Sequence, residues 1–242
     1  MTASLLSMPR AEKKLHRPPI IPLTLDERMD IEQRELRVPA TLDEYFAIVQ
    51  DMDYAVHYRH GHIISFIEFD EENGQPMGIA AALHERLVAL LIYLISDLLD
   101  IRNSEYQGYS SNIKLYIEGA MSAYNPDVAF TKGDAVVQKI RPKGRKRNTK
   151  VLMNPHILIE VLSKSTKNFD LTEKWEDYQK IESLQQMIFV EQESMNIKTY
   201  IKQGKNLWLP IELTNINDAL PIFGKETKIP LSDIYAVNML KQ

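Results

Sequence analysis

Two stretches of this sequence, NPDVAF at residues 125–130 and HILIEVLS at residues 156–163, each place one acid inside a short apolar run. Such runs are typical of buried strands, so we expect both Asp127 and Glu160 to be buried. A buried carboxylate is costly unless it is paired, hydrogen-bonded or bound to a cation. The two stretches therefore predict one site where two acids meet a divalent cation. Mg²⁺ is typically held by one or two carboxylates together with water and substrate phosphate, which indicates metal-assisted phosphodiester chemistry.

The composition is that of an ordinary globular protein, with 44% hydrophobic and 26% charged residues. A length of 242 residues allows one substantial domain, or one domain with an additional arm. The absence of cysteine excludes disulfides, thiolate metal sites and a cysteine nucleophile, and it fits the cytoplasmic location that we predict. The formal charge of −4 argues against a protein that coats nucleic acid through bulk attraction, but it allows a local basic surface.

No segment of the sequence predicts insertion into a membrane. The most apolar stretch, residues 87–95, is too short to span a bilayer and is flanked by charged residues. Residues 1–6, MTASLL, lack the basic lead and the long apolar core of a secretory signal. We therefore expect no membrane partner.

Residues 1–40 contain five prolines among mixed charges and show no sustained period, which predicts a partly ordered N-terminal extension. Residues 41–242 are expected to form the main domain. Thr41 is typical of a helix N-cap, because two acids follow it in the first turn, where the helix dipole favours them. Leucines recur at spacings of three and four over residues 80–100, and they predict the strongest helix, packed against a sheet.

The remaining elements are predicted from turn residues and from the pattern of apolar side chains. They are a hairpin over residues 56–68 with its turn at Gly61, a turn at Asn73-Gly74, strands at residues 113–117, 128–130, 157–162, 187–191, 197–201 and 207–213, and a helix over residues 171–183. This order predicts an α/β or α+β fold with one central mixed β-sheet flanked by helices.

The acids also belong to a wider motif. Pro126-Asp127, followed after about thirty residues by Glu160-Val161-Leu162, resembles the PD-(D/E)XK nuclease signature. The segment that follows Glu160 is similar to that of one branch of this superfamily, the Uma family of putative restriction endonucleases. The matching residues are Ser163, Ser165, Thr166, Asp170, Lys174 and Tyr178. In that family a Glu-Val-Leu-Ser segment leads into a helix that carries an Asp, then a Lys and a Tyr at successive spacings of four.

The resemblance covers roughly residues 41–240 and implies a restriction-endonuclease-like core. It further implies an endonuclease that depends on Mg²⁺ or Mn²⁺, hydrolyses DNA, and acts as a homodimer, because cleavage of both strands calls for two sites. Asp127 and Glu160 would hold the metal, with the main-chain carbonyl of Val161 as a further ligand. The cation would lower the pKa of a bound water and neutralise charge at the phosphorus. The alternative for each acid alone is a helix cap or an ion pair at a strand end.

Leu162 departs from the signature, which usually has a water-orienting lysine at that position. Lys174 is the natural substitute if its helix packs beside the two strands, because a lysine stem is long and flexible. The alternative is that Lys174 pairs with Asp170 on a helix surface, which stabilises by roughly a few tenths of a kcal/mol. Lys164 is a weaker rival. Tyr178 is a candidate to contact the scissile phosphate or to hydrogen-bond a site carboxylate; the alternative is a half-buried tyrosine with a solvated hydroxyl.

The histidines give weaker signals. His84, near the start of the long helix, is a candidate substrate-binding or supporting group, although a solvated helical histidine is the alternative. His57, His60 and His62 cluster near the hairpin turn but lack acid or cysteine partners at metal-ligand spacing. The family commonly has an acid at the position of His57, and Glu68 is a candidate to replace that acid.

Other residues are candidates for phosphate contact. Residues 139–150 hold seven lysines and arginines and no acid, among them Arg145, Lys146 and Arg147. Because this run connects the two key strands, we expect it beside the site, where it would bind phosphate and make DNA affinity salt-dependent. A flexible, solvated loop is the alternative. Ser163 and Thr166 are further candidates, with turn formation as their alternative role.

Three functions stay open on the sequence. The first is a metal-dependent DNA endonuclease. The second is a catalytically degenerate protein that keeps the nuclease fold and binds nucleic acid or a protein partner; Leu162 and His57 favour it, whereas the intact Asp127 and Glu160 do not. The third is an interaction protein in which both acids are purely structural.

Overall fold

The computed structural model describes residues 20–69, 74, 76–77 and 82–239. Within these residues the chain forms two mixed β-sheets, two small hairpins and several helices. The helices are α1 (Leu25–Met29), α2 (Leu42–Ile48), α3 (Ala82–Leu99), a 3₁₀ turn (Glu118–Ala120), α4 (Lys167–Phe169), a π-helical turn (Asp170–Lys174), α5 (Trp175–Tyr178) and α6 (Leu231–Met239). The π-helical turn joins α4 to α5 without a break, so that these three segments form one helix.

The first sheet has seven strands among the described residues, and most neighbours in it are antiparallel. In spatial order the strands are β1 (Glu35–Pro39), β3 (His62–Phe66), β2 (His57–Arg59), β8 (Ser122–Tyr124), β7 (Leu115–Ile117), β11 (Thr149–Leu152) and β10 (Val137–Ile140).

The second sheet has six strands in the described part of the chain, and it carries the two key acids. In spatial order they are β15 (Leu207–Leu213), β14 (Ile197–Gly204), β13 (Gln186–Glu191), β12 (Ile157–Leu162), β9 (Val128–Lys132) and β6 (Tyr106–Ser110). The central strand β12 runs parallel to β13 and antiparallel to β9. The small hairpins are β4 (Glu68–Phe69) with β5 (Pro76–Met77), and β16 (Ala219–Pro221) with β17 (Lys228–Pro230).

The two faces of the second sheet contact different layers. Because side chains alternate along a strand, Ile159 and Val161 of β12 face one way and pack in a buried cluster with residues of α3 and α6. Leu158 and Leu162 face the other way, into a cluster with the first sheet and the helix around Tyr178. Glu160 lies between Leu158 and Leu162 in this alternation, so it points into the layer between the two sheets.

Most sequence predictions for individual elements are confirmed. Thr41 caps α2 in a reciprocal capping box with Glu44, and the hairpin of β2 and β3 turns at Gly61, whose φ of 82° suits glycine. The long helix is α3, although the start of its predicted range lies outside the described residues. The turn at Asn73-Gly74 also falls on a residue, Asn73, outside the described part. The fold class, mixed sheets flanked by helices, is confirmed.

Two details differ from the predictions. The single central sheet becomes two, because β10 and β11, which follow β9 in the chain, pair within the first sheet. Apolar alternation identifies a strand but not its sheet. The helix predicted over residues 171–183 begins at Lys167 and ends at Tyr178. Ile181 and Leu184 are buried in the turn that follows. Their spacing is typical of a helix face, although the helix ends at Tyr178.

The described part of the predicted N-terminal extension supplies α1 and the edge strand β1, which pairs with β3. Arg28 of α1 is fully buried. Its guanidinium donates to Ser65 Oγ at 2.7 Å and to the carbonyl oxygens of Ile31 and Gln33. None of the helices in the described ranges combines the length and the apolar character needed to cross a membrane.

Candidate active site

The two acids meet because β9 and β12 are neighbours. Val128 pairs with Ile159 in the antiparallel ladder, and one further step of this register sets Asp127 opposite Glu160. Asp127 lies just outside the ladder, and its Oδ2 accepts the main-chain N–H of Val161 at 2.7 Å. The side chain of Asp127 therefore continues the pairing of the two strands and holds both carboxylates at one end of β9.

Glu160 is bound by two groups from the helix that follows β12. Lys174 Nζ lies 3.1 Å from Glu160 Oε1, and the Tyr178 hydroxyl donates to the same oxygen at 2.6 Å. Lys174 Nζ also lies 2.8 Å from Asp170 Oδ1. Glu160 is 2% exposed and Lys174 3% exposed. The predicted ion pair of Lys174 with Asp170 therefore exists, but it is buried and shared with Glu160 instead of lying on a surface.

The helix that delivers these groups is irregular at this point. The N–H of Trp175 donates to the carbonyl of Asp170, five residues earlier, which is the hydrogen bond of a π-helical turn. Turns of this kind occur often at functional sites. Asp170 is fixed in turn by Thr166, whose Oγ1 donates to it at 2.6 Å. Thr166 thus supports the acid that holds the ammonium of Lys174.

The electrostatics of the site are dominated by burial and by an excess of acids. Burial raises the pKa of Glu160 to about 8, and the charges of Asp170 and Asp127 add to this against the opposing effect of Lys174. Burial opposes the charged form of Lys174, but Asp170 and Glu160 reverse that effect and raise its pKa. Lys174 lies against two of the three carboxyls and His84 against the third, so acids outnumber basic groups at the site.

His84 contacts the other acid. Its Nε2 lies 3.3 Å from Asp127 Oδ2, and its Nδ1 lies 3.6 Å from Glu85. Burial disfavours its charged form, yet the hydrogen bond and the charge of Asp127 outweigh burial and raise the pKa of His84 to about 9. The structure therefore places His84 against a site carboxylate, at the first turn of α3.

The acids line a cleft of about 580 Å³. Of the residues predicted for the site, the cleft brings together Asp127, Glu160, Val161, Lys174 and His84. Further residues that the sequence singled out also line it, namely His57, Glu68, Ser163, Ser165, Thr166 and Asp170. Glu68 accepts a hydrogen bond from Ser165 at 3.2 Å. The candidate for the acid missing at His57 therefore has its carboxylate in the cleft.

Lys114 and Asn125 are among the cleft residues that sequence reasoning missed. Both line the cleft, and Lys114 Nζ donates to Asn125 Oδ1 at 2.7 Å. Each had a weak signal: Lys114 lies between Ile113 and Leu115 of the alternating run, and Asn125 directly precedes the Pro-Asp pair. Neither signal is specific, because single polar residues beside strands are common.

Tyr178 and the basic loop do not line the cleft. Tyr178 is fully buried, so its hydroxyl orients Glu160 and does not face the cleft. Arg145 and Arg147 lie on the connection from β10 to β11, where both pair with Asp51, at 2.6 and 3.3 Å. The expectation that this loop adjoins the acids assumed a direct link between their strands. The loop instead belongs to the first sheet, and Arg145, Lys146 and Arg147 are absent from the lining of the cleft.

The remaining candidates have different surroundings. Lys164 pairs with Glu193 at 3.1 Å, with both side chains about half exposed, and it does not line the cleft. His57 is buried against Phe169, whereas His60 lies at the hairpin turn, 3.9 Å from Asp177. Within the described ranges no group of three or more His, Cys, Asp or Glu side chains is arranged around a metal position.

The pair of carboxylates nevertheless fits a hard cation. The hydrogen bonds of the described residues use Oδ2 of Asp127 and Oε1 of Glu160, which leaves the second oxygen of each carboxylate without a donor. Two carboxylates suffice for Mg²⁺, whose other positions are usually filled by water and phosphate. Burial raises the pKa of Glu160, with smaller contributions from the charges of Asp170 and Asp127, and a bound cation would favour the ionised carboxylate.

Comparisons with known proteins agree with this geometry. A family model described as "Uma2: Putative restriction endonuclease" matches residues 43–229. The chain is similar to the uncharacterized protein sll1609 of Synechocystis sp., with 31% identity over 150 residues that cover 62% of this chain and 80% of the relative. It also resembles the crystal structure of a putative nuclease belonging to DUF820 from Anabaena variabilis. The TM-score is 0.62 at 14% identity, covering 82% of this chain and 98% of the other, and this likeness concerns the fold.

Proposed function

Because the chain belongs to the Uma2 family of putative restriction endonucleases, we propose that it is a Mg²⁺-dependent endonuclease that hydrolyses DNA phosphodiester bonds. One observation carries this proposal. The ammonium of Lys174 lies 3.1 Å from Glu160, which is the acid opposite Asp127. A cation from the helix thus compensates for Leu162, which lies where the nuclease signature has its lysine.

The residues of the cleft have distinct roles in this proposal. Asp127 and Glu160 would hold Mg²⁺ or Mn²⁺, with the carbonyl of Val161 as a third ligand. When bound, the cation would lower the pKa of water and offset charge on the phosphate. Lys174 orients the attacking water and balances the acids. His84 fixes the carboxylate of Asp127.

Tyr178 and Asp170 would act through their neighbours. The hydroxyl of Tyr178 holds Glu160 in one orientation at 2.6 Å, and Asp170 holds Lys174 at 2.8 Å. Rigid support of this kind keeps reacting groups within the small tolerance that catalysis requires. Both are positioning residues.

The partner in this proposal is duplex DNA, and a homodimer would supply one site for each strand. The basic residues Arg145, Lys146 and Arg147 would add phosphate contacts outside the cleft. The lack of cysteine supports a cytoplasmic location.

A second candidate is a nuclease-fold protein that binds nucleic acid or a protein partner without turnover. The position where the family commonly has an acid holds His57, and burial together with Lys174 and Lys114 lowers the pKa of this histidine well below its ordinary value. A neutral imidazole cannot replace the charge of a carboxylate. Glu68 in the same cleft is the group that would restore an acid.

A cleavage experiment separates these candidates. Supercoiled plasmid is incubated with the wild type, Asp127→Asn and Glu160→Gln in Mg²⁺, Mn²⁺ or EDTA, while binding is followed on a labelled duplex. The matched controls are Asp134→Asn and Glu182→Gln, which change exposed acids outside the cleft. An endonuclease cuts only with metal, loses cutting in both site variants and keeps it in both controls. Binding without cutting by the wild type, in either metal, supports the second candidate instead.

A further inference from the structure

The cleft contains a second polar group apart from the paired acids. Lys114 Nζ donates to Asn125 Oδ1 at 2.7 Å and to the Tyr45 hydroxyl at 3.0 Å, and it lies 5.3 Å from the centre of the Tyr45 ring. All of these partners are neutral. Among the described residues no carboxylate forms an ion pair with Lys114 at 4 Å or less. An ammonium has three donors, so one donor stays open beside the cleft.

A partly buried ammonium without a counter-ion is costly. Burial lowers the pKa of Lys114 to about 8, and no opposing charge accompanies that effect. Lys174 provides the contrast within the same cleft, because three acids surround it and raise its pKa. The difference indicates that the charge of Lys174 is used within the protein, whereas that of Lys114 is available to an anion.

His57 supplies an independent observation at the same place. It lines the cleft, it is only 7% exposed, and its Nδ1 has no hydrogen-bond partner among the described residues. Its ring is held flat against Phe169, with 5.5 Å between the ring centres. Lys174 and Lys114 both disfavour its charged form, so both ammonium groups lie within electrostatic reach of His57. The tautomer with a proton on Nδ1 would offer a donor there.

We propose that Lys114, Asn125 and His57 form an anion subsite that binds the phosphate adjacent to the one under attack on a nucleic acid strand. Lys114 would supply charge, and His57 and the amide N–H of Asn125 that does not donate to the Ser111 carbonyl would supply neutral donors. Asn125 and Asp127 are two residues apart, so their Cα atoms are at most about 7 Å from each other. This separation is comparable to that of successive phosphates along a strand, and the inference rests on the proposed function.

The test combines variants of Lys114 with steady-state and binding measurements. Lys114→Met should raise KM and the Kd for a short duplex at least tenfold while kcat changes less than threefold, and it should reduce the salt dependence of binding by about one phosphate contact. Lys114→Arg should restore most of the affinity. Lys205→Met, which removes an exposed lysine outside the cleft, should change neither quantity. An unchanged Kd and salt dependence in Lys114→Met, with its fold intact by circular dichroism, overturns the subsite.

A second measurement does not require a variant to fold. Inorganic phosphate titrated into the wild type should shift the NMR signals of the His57 ring. Signals that stay in place up to the highest phosphate concentration contradict the subsite. The two proposals can fail separately. Normal cutting by Lys114→Met with wild-type KM removes the subsite and leaves the endonuclease. No cutting by the wild type, together with phosphate-dependent His57 shifts, removes the endonuclease and leaves the subsite.

Discussion

Lys174 and Glu160 are 14 residues apart in the chain, and the ammonium of the first lies 3.1 Å from Oε1 of the second inside the protein. A surface pair of Lys174 with Asp170 would contribute roughly a few tenths of a kcal/mol. The observed arrangement is buried and joins one cation to two acids. Removing the cation therefore affects stability as well as the proposed chemistry.

We predict that Lys174→Met lowers the single-turnover cleavage rate at least tenfold and lowers the free energy of unfolding by about 3 kcal/mol, because two buried carboxyls lose their counter-ion. Quenched-flow cleavage and chemical denaturation measure the two effects. Lys167→Met is the matched control, since Lys167 pairs with Glu191 at the surface of the same helix. A normal rate in Lys174→Met would show that this ammonium is purely structural.

Tyr178→Phe should lower the free energy of unfolding by about 1–2 kcal/mol, because a buried oxygen of Glu160 loses a donor. The cleavage rate should fall less than in Lys174→Met, since Lys174 still holds the carboxylate. Tyr93→Phe removes a hydroxyl from an exposed tyrosine and should be neutral in both measurements. A larger rate loss in Tyr178→Phe than in Lys174→Met would contradict a positioning role.

Metal binding should release a proton. Burial raises the pKa of Glu160 to about 8, so the free protein holds a proton on this carboxyl over part of the neutral pH range, and a metal ligand must lose that proton. Mn²⁺ affinity should therefore rise from pH 6 to about pH 8 and level off above it. Titration calorimetry in two buffers of different ionisation enthalpy gives the number of protons. Glu160→Gln should abolish both the release and the pH dependence; release that persists in this variant would place the proton elsewhere.

The basic loop is predicted to bind DNA backbone outside the cleft. Replacing Arg145, Lys146 and Arg147 with Ser should weaken binding and flatten its salt dependence. Asp51→Asn offers the opposite change, because it releases the two arginines that Asp51 now holds, and it should steepen the salt dependence. Fluorescence anisotropy over a range of salt concentrations measures both. Identical slopes for all three proteins would mean that this loop does not touch phosphate.

Lys114 should contribute a pH-dependent term to stability. Its pKa falls from the ordinary value to about 8 on folding, so between pH 8 and about 10 the unfolded chain binds more protons than the folded one. Stability should therefore rise with pH in this window, by at most about 1.4 kcal/mol per pH unit for one proton. Denaturation of the wild type and Lys114→Met at several pH values isolates the term as a difference. If the stability of the wild type relative to Lys114→Met falls with pH in this window, the pKa of Lys114 is not lowered on folding.

Much of the fold follows from local patterns. Thr41 and Glu44 predict the capping box of α2, and the leucine spacing predicts α3. The resemblance carried by the Pro-Asp pair and the segment after Glu160 is confirmed by the family model over residues 43–229. Such features are readable because capping and periodicity depend on residues within a few positions of one another.

The sequence by itself determined the family, the mixed α/β class and two acids, Asp127 directly before one strand and Glu160 within another. Only the tertiary structure decided which strands share a sheet. It also decided that the helix with the π-helical turn brings Lys174 and Tyr178 to one oxygen of Glu160, and that Lys114 and His57 line the same cleft. The basic loop is a further example. Its composition can be read from the sequence, but its position depends on how β10 and β11 pair. Local patterns report hydrogen bonds and burial along one segment, whereas a site depends on distances between segments that sequence spacing leaves free.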